Sequence, residues 1–83
     1  GDSMKPTIPN GSLVLIRQQP VVEDGEIAAV LLEDSNEATL KRVKHASNAI
    51  LLMPDNRDYD PIVVTETSKA RILGKAVKMT VDF

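Results

Sequence analysis

Two residues of this sequence have side chains whose combination would support nucleophilic chemistry: Ser3 in the opening segment and Lys41 near the middle. A serine hydroxyl attacks a carbonyl effectively only when a neighbouring base removes its proton. Lysine serves as that base only when it is neutral, which requires a dry, apolar setting that lowers its pKa from about 10.4 towards about 7. Each residue taken alone is ordinary, a serine in a loop and a lysine on a strand. The pair is therefore a hypothesis that depends on how the fold places them.

The remaining ionisable and metal-binding groups form no second candidate site. The sequence has no cysteine, which excludes disulfides and thiolate metal sites, and its single histidine, His45, is too few for a histidine metal site. We expect His45 to be solvated at the end of a strand. Asp55, Asp58 and Asp60 lack the glycine and terminal glutamate of an EF-hand, so we interpret them as turn caps. The sequence predicts neither a metal nor another cofactor.

The composition is that of one small globular domain. With 83 residues, 42% of them hydrophobic and 27% charged, the chain is expected to form a single domain with a thin core. Aromatic residues contribute only 2%, so the core must consist of aliphatic side chains and methionine. A net charge of -2 without a basic stripe argues against nucleic-acid binding by this segment. The apolar runs are too short to span a bilayer, and the lack of cysteine fits a reducing compartment.

The pattern of short apolar runs separated by turn residues predicts an all-β fold, either a compact coiled sheet or a partly open barrel. No segment shows a sustained helical period. The predicted strands cover residues 12–17, 27–32, 38–44, 49–53, 62–64 and 70–83. The second and third form a hairpin that turns near Ser35-Asn36. In the last strand the odd positions from 71 to 83 fall on one face, five of the seven being apolar, and Gly74 predicts a bulge or bend.

These elements would have to bring the opening segment onto the third strand. Residues 3–11 are predicted to be a loop or a short helical turn, because Pro6, Pro9 and Asn10-Gly11 interrupt it. On the third strand, Lys41 shares one face with Thr39 and Val43. Since each face of this strand mixes apolar and charged residues, periodicity alone leaves the burial of Lys41 open. Packing against Val43 and Val30 would supply the apolar setting that a neutral lysine needs.

Five ordered groups of residues match a known pattern. They read GDSMKPTI at residues 1–8 with GSLV at 11–14, TLKRVK at 39–44, LLMPDN at 51–56, Tyr59 with PIVV at 61–64, and ILGKAV at 72–77. In order and spacing they resemble the C-terminal catalytic domain of the LexA and phage-repressor self-cleaving Ser–Lys peptidases, over essentially the whole chain. The resemblance implies an all-β fold shared with bacterial signal peptidases. It implies Ser3 as nucleophile, Lys41 as general base, and the backbone N–H groups of Ser3 and Asp2 as the oxyanion hole.

The resemblance also implies a cellular role. Members of this family cut one peptide bond, usually Ala-Gly, in their own upstream linker when stimulated by the RecA–single-stranded DNA filament. The cut separates an N-terminal helix-turn-helix domain, dissociates repressor dimers and induces damage-response or prophage genes. By resemblance we expect a cytoplasmic homodimer that pairs through the C-terminal strand ending Val81-Asp82-Phe83, contacts no membrane, and reaches operator DNA only through the N-terminal domain.

The abrupt start of the chain leads us to expect one peptidase domain over residues 1–83, without the DNA-binding domain or the cleavage-site linker. It would then be the product half of a cleavage or a chain trimmed to resemble it. Three alternatives stay open: a type I signal peptidase, a damage-response mutagenesis subunit with a short N-terminal arm, and a dimerisation module whose dyad is unused. The polar, acidic tip at residues 33–37 and the loop at 54–61 argue against the signal peptidase.

Overall fold

Runs of aliphatic and β-branched residues, separated by proline, glycine, asparagine and aspartate, form six strands in the computed structural model, which describes residues 2–81. The strands are β1 (Leu13–Gln18), β2 (Ile27–Leu32), β3 (Glu37–His45), β4 (Ile50–Met53), β5 (Ile62–Val64) and β6 (Ala70–Thr80). Nowhere in residues 2–81 is there a helix long and apolar enough to cross a membrane. Five of the strands lie within two residues of their predicted bounds; β6 ends at Thr80, and the predicted final positions, Asp82 and Phe83, lie outside the described residues.

All six strands belong to one antiparallel sheet in the order β1-β6-β2-β3-β4-β5. β1 and β5 are its edges, so over the described residues the sheet is open. The all-β prediction is confirmed. The predicted hairpin is also present, with Ile27 opposite Arg42 at one end of the β2–β3 ladder and Leu32 opposite Glu37 at the other. Asn36 closes its loop with φ 55°, a left-handed conformation that asparagine tolerates well.

The core is a thin aliphatic layer on one face of this sheet. Its fully buried members are Val22, Ala28, Val30, Val43 and Leu52. The register gives these residues a common face, because Val43 lies opposite Leu52, and Ala28 and Val30 lie opposite Lys41 and Thr39 of β3. Each fully buried valine or leucine contributes about 1.5–3 kcal/mol of transfer free energy. The strand that carries Val43 into this core therefore carries Lys41 on the same side.

β6 departs from the predicted alternation. Its pairing shifts by one residue opposite Leu15/Ile16 of β1 and again opposite Ala29/Val30 of β2, which leaves Val77 and Leu73 as extra residues. Each extra residue exchanges the two faces of the strand, so the odd positions of β6 do not share one face. The bulge or bend predicted around Gly74 is thus present, with one shift on either side of it. Over the described part of residues 71–83, the predicted single apolar face was wrong for the same reason, and Phe83 lies outside the described residues.

Gly74 is required by the close approach of β1, and we expect Gly74→Ala to destabilise the domain by about 3 kcal/mol or more. A Cβ at this position would lie 2.2 Å from the Arg17 carbonyl oxygen and 2.7 Å from Ile16 Cγ2, so the β1–β6 ladder would have to separate. The control is Gly25→Ala, where a Cβ meets nothing within 4 Å but φ is +84°, a left-handed conformation that costs about 1 kcal/mol. Urea unfolding measures both variants. If Gly74→Ala lowered the free energy of unfolding no more than Gly25→Ala does, β1 would be able to move away from the new Cβ without loss of stability, contrary to this prediction.

Candidate active site

The segment that carries Ser3 is a series of tight turns between residues 2 and 12, as predicted. Backbone hydrogen bonds from Lys5 N to the Asp2 oxygen (3.1 Å) and from Ile8 N to the Met4 oxygen (2.9 Å) hold these turns. Met4 is only 4% exposed, so its side chain anchors the segment from below while Ser3 stays half-buried. A buried methionine directly after the serine fixes where the hydroxyl can lie.

Lys41 lies on the core face of β3, directly opposite Ala28 and only 6% exposed. Its amine donates hydrogen bonds to Ser3 Oγ (2.8 Å), to Thr39 Oγ1 (2.6 Å) and to the Leu40 carbonyl (3.2 Å). All three acceptors are uncharged, and within the described part of the chain Lys41 forms no ion pair. Burial therefore lowers the pKa of Lys41 without a compensating charge. Periodicity left the burial of Lys41 open, and the structure shows that this lysine is buried.

The predicted juxtaposition of Ser3 and Lys41 is present, across 38 positions of sequence. A separation of 2.8 Å between Oγ and Nζ is within reach for direct proton transfer. When the amine is neutral, its lone pair can accept the Ser3 proton. The arrangement is thus chemically able to activate the serine, while the catalytic roles of the two residues stay predictions.

The backbone beside Ser3 offers hydrogen-bond donors. Within residues 2–81, neither the Ser3 N–H nor the Asp2 N–H, the two predicted oxyanion donors, has a hydrogen-bond acceptor. The side chain of Asp2 is engaged separately: its carboxylate accepts hydrogen bonds from Lys5 (2.9 Å) and Asn10 (2.6 Å). These bonds lower the pKa of Asp2, and the bond from Lys5 has the larger effect. Both N–H groups are therefore unpaired within the described residues.

An ion pair on the other face of β3 supports the site. Arg42 binds Asp55 in a bidentate manner, Nε at 2.9 Å and one terminal nitrogen at 2.7 Å, and its other terminal nitrogen donates to the Gly25 carbonyl. This hydrogen-bonded contact lowers the pKa of Asp55 and raises that of Arg42. Asp55 also accepts a bond from Thr7 Oγ1 (2.6 Å), which ties the Ser3 segment to the β4–β5 loop. The prediction that Asp55 is a turn cap was wrong, because the carboxylate binds Arg42 and Thr7 instead.

Two residues in direct contact with the site were not singled out from the sequence. Thr39 accepts a hydrogen bond from the Lys41 amine. Its position two residues before Lys41, on the same face of the strand, was the feature of the sequence that could have identified it. Asn56 donates from its backbone N–H to the Ser3 oxygen (2.9 Å) and from Nδ2 to the Asp2 oxygen (3.0 Å). Only its place in the matching LLMPDN segment pointed to it.

His45 and the acidic residues take no part in the Ser3–Lys41 contact. The His45 side chain is 42% exposed at the end of β3 and lies 2.5 Å from Asp24. Over the residues that the structure describes, no three histidine, cysteine, aspartate or glutamate side chains cluster in a way that could hold a metal ion.

A cleft of about 260 Å³ opens beside Ser3. One wall is the turn segment Ile8–Ser12 and the other is Ala38–Leu40 of β3. β4 pairs with β3 only from Arg42 to His45, so among residues 2–81 the first half of β3 has no strand partner on that side. The cleft therefore places Ser3, whose hydroxyl lies 2.8 Å from the Lys41 amine, beside an unpaired strand edge.

Comparison with known proteins identifies the family to which the sequence is similar. A family model described as Peptidase S24-like matches residues 1–77. Proteins named LexA repressor are 46% identical in Oleidesulfovibrio alaskensis, 49% in Desulforamulus reducens and 44% in Streptomyces coelicolor, each over 93% of this chain. The chain spans about a third of the length of these relatives, 37%, 34% and 31% respectively. With a match over nearly its whole length, this chain belongs to the Peptidase S24-like family.

Proposed function

We propose that this chain is the self-cleavage and dimerisation domain of a LexA-like or prophage transcriptional repressor, and that it is a serine endopeptidase with a Ser3–Lys41 dyad. The observation that carries the proposal is the 2.8 Å contact between Ser3 Oγ and a buried Lys41 amine that has only uncharged partners. The similarity to proteins named LexA repressor supports the repressor assignment.

The proposed mechanism uses the protein's own groups throughout. Neutral Lys41 takes the Ser3 proton as Oγ attacks the carbonyl carbon of the scissile bond. The N–H groups of Ser3 and Asp2 stabilise the resulting oxyanion. Protonated Lys41 then gives its proton to the departing amine, leaving an acyl ester on Ser3. A water molecule, deprotonated by Lys41, hydrolyses the ester and restores the dyad.

The cleft favours an extended peptide as substrate. Within the described residues its β3 wall, Ala38–Leu40, has no strand partner on the side away from β2, so a peptide could pair there, and main-chain pairing provides affinity that does not depend on side chains. By resemblance to the family, we expect the bond that is cut to be an Ala-Gly bond in a linker of the same protein.

The wider role follows from the same proposal. Cleavage would separate this domain from a DNA-binding domain that contacts the operator, relieving repression in the DNA-damage response in the cytoplasm, with the RecA–single-stranded DNA filament as stimulus. Homodimerisation through β6 is supported by the exposed Val77, Met79 and Val81. A second support is that β2 pairs with β6 only up to Lys75, so that within residues 2–81 one edge of residues 76–80 has no strand partner. The remainder of the predicted dimer strand, Asp82 and Phe83, lies outside the described residues.

The direct test is cleavage in trans of a linker peptide that contains Ala-Gly. The 83-residue chain should cut it at that bond, slowly, and Ser3→Ala should not cut it at all, as followed by mass spectrometry of the products. Ser47→Ala, which removes an exposed hydroxyl in the β3–β4 turn, is the matched control and should retain activity. Absence of cleavage by the wild-type chain at any pH up to 10 would favour the non-catalytic dimerisation module.

A further inference from the structure

Asn56 holds both peptide units that flank the nucleophile. Its Nδ2 donates to the Asp2 oxygen at 3.0 Å and its backbone N–H donates to the Ser3 oxygen at 2.9 Å. We propose that Asn56 is a positioning residue that orients the Ser3 N–H as an oxyanion donor. This inference rests on the proposed peptidase function and adds to it a residue outside the dyad.

The peptide unit between Asp2 and Ser3 carries the Ser3 N–H. Its C=O and N–H lie in one plane and, in a trans peptide, point in opposite directions. The only cis peptide in the described chain is Lys5-Pro6, so this unit is trans. A donor fixed on the Asp2 oxygen therefore directs the Ser3 N–H away from Asn56. That N–H has no acceptor within the described residues, so its orientation depends on what holds the opposite end, where the Asn56 amide (3.0 Å) and the Lys5 N–H (3.1 Å) both donate to the Asp2 oxygen.

The second contact fixes the following peptide unit. Because the Ser3 oxygen accepts from Asn56 N–H, the planes before and after the Ser3 Cα are both restrained, and with them the direction of the side chain. Hydrogen bonding to the Asp2 carbonyl also polarises the amide, which makes its N–H a better donor to an oxyanion.

Asn56 is itself held in place. Its Oδ1 accepts from Asp58 N (3.0 Å), which assigns Nδ2 as the end that faces Asp2. The preceding residue, Asp55, is bound by Arg42 of β3 and by Thr7. The β4–β5 loop is thus connected to the strand of the base and to the segment of the nucleophile, so Asn56 transmits the position of β3 to the peptide units around Ser3.

The test compares Asn56→Leu, similar in size but without the amide, with Asn56→Asp, which keeps the acceptor for Asp58 N and loses the Nδ2 donor. Both should reduce the plateau rate of Ala-Gly peptide cleavage, above the pH at which Lys41 is neutral, by at least about tenfold. This is a fraction of the 10²–10³-fold that loss of an oxyanion donor costs. Measuring the plateau removes any effect of the new charge on Lys41. Asn48→Asp, in the exposed β3–β4 turn, is the control.

A purely structural role would lower the melting temperature and leave the plateau rate at low temperature unchanged, which would overturn the proposal. Amide hydrogen exchange gives an answer that does not depend on catalysis. Exchange at Lys5 and Ile8, whose N–H groups close the turns around Ser3, should be at least about tenfold faster in both Asn56 variants than in Asn48→Asp. Unchanged exchange would overturn the positioning role. A wild-type chain that fails to cleave would overturn the peptidase function, and exchange would still decide the positioning.

Discussion

Lys41→Arg and Lys41→Met should each reduce cleavage of an Ala-Gly linker peptide by about 10²–10⁴-fold, the range that a general base typically contributes. Arginine keeps the positive charge and much of the length of lysine, but a guanidinium does not give up its proton at any accessible pH. Methionine keeps the apolar stem and removes the amine. Because the amine is the group in contact with Ser3 Oγ, both variants leave the serine without a base.

The matched controls are Lys44→Arg and Lys44→Met on the same strand. Lys44 is exposed and lies on the opposite face of β3 from Lys41, so both should cleave at the wild-type rate. Circular dichroism and urea unfolding would verify that each variant retains the sheet. Wild-type cleavage by Lys41→Arg would show that another group deprotonates Ser3, and the dyad mechanism would have to be abandoned.

The sequence predicts the strands well because each is short and bounded by residues with a physical reason to turn. Asp24-Gly25 precedes β2, Asn36 adopts φ 55° in the hairpin loop, and Pro61 precedes β5. β6 is the exception. A period-2 pattern assumes an uninterrupted ladder, whereas β6 pairs with two different strands and shifts register against each. Bulges depend on how neighbouring strands twist, and that information is not local to residues 70–80.

The same distinction applies to the candidate site. Ser3 and Lys41 were found through residue types and a family resemblance, and their separation of 38 positions is closed by the fold. The burial of Lys41 did not follow from its own strand, since both faces of that strand mix apolar and charged residues. It follows from pairing with Ala28, which places it over the aliphatic core. The contact of Asn56 with Asp2 joins residues 54 positions apart through a loop, where no periodicity exists to predict it.

Lys41 also connects the chemistry to the stability of the fold. Its cross-strand partner is an alanine, and Val43 follows it on the same face, so a charged amine there loses hydration and gains only neutral acceptors. The domain therefore keeps its candidate base in a position that disfavours the charged form. This is the condition under which a lysine becomes a base near neutral pH.

The rate of cleavage should consequently rise with pH, about tenfold per unit below the folded pKa of Lys41, and reach a plateau above it. Burial lowers that pKa below its value in the unfolded chain. The charged form is thus disfavoured by folding, and Lys41 costs stability. The penalty is fully present below the folded pKa and disappears as pH rises through the unfolded value of about 10.4, where the lysine is neutral in both states.

Lys41→Met removes this penalty, so its free energy of unfolding relative to wild type should be most favourable below the folded pKa and should decline steadily towards pH 11. Urea unfolding at one-unit intervals from pH 6 to 11 measures the difference, and Lys44→Met corrects for the loss of one positive charge. The loss of the three hydrogen bonds of the amine adds a constant offset to the stability difference, but its decline with pH comes from the proton alone.

The pH at which the decline begins should coincide with the start of the plateau in the rate profile, because both report the same proton. A stability difference that does not change with pH would mean that Lys41 titrates as an ordinary surface lysine, and the amine would be charged, and unable to act as a base, throughout the neutral range.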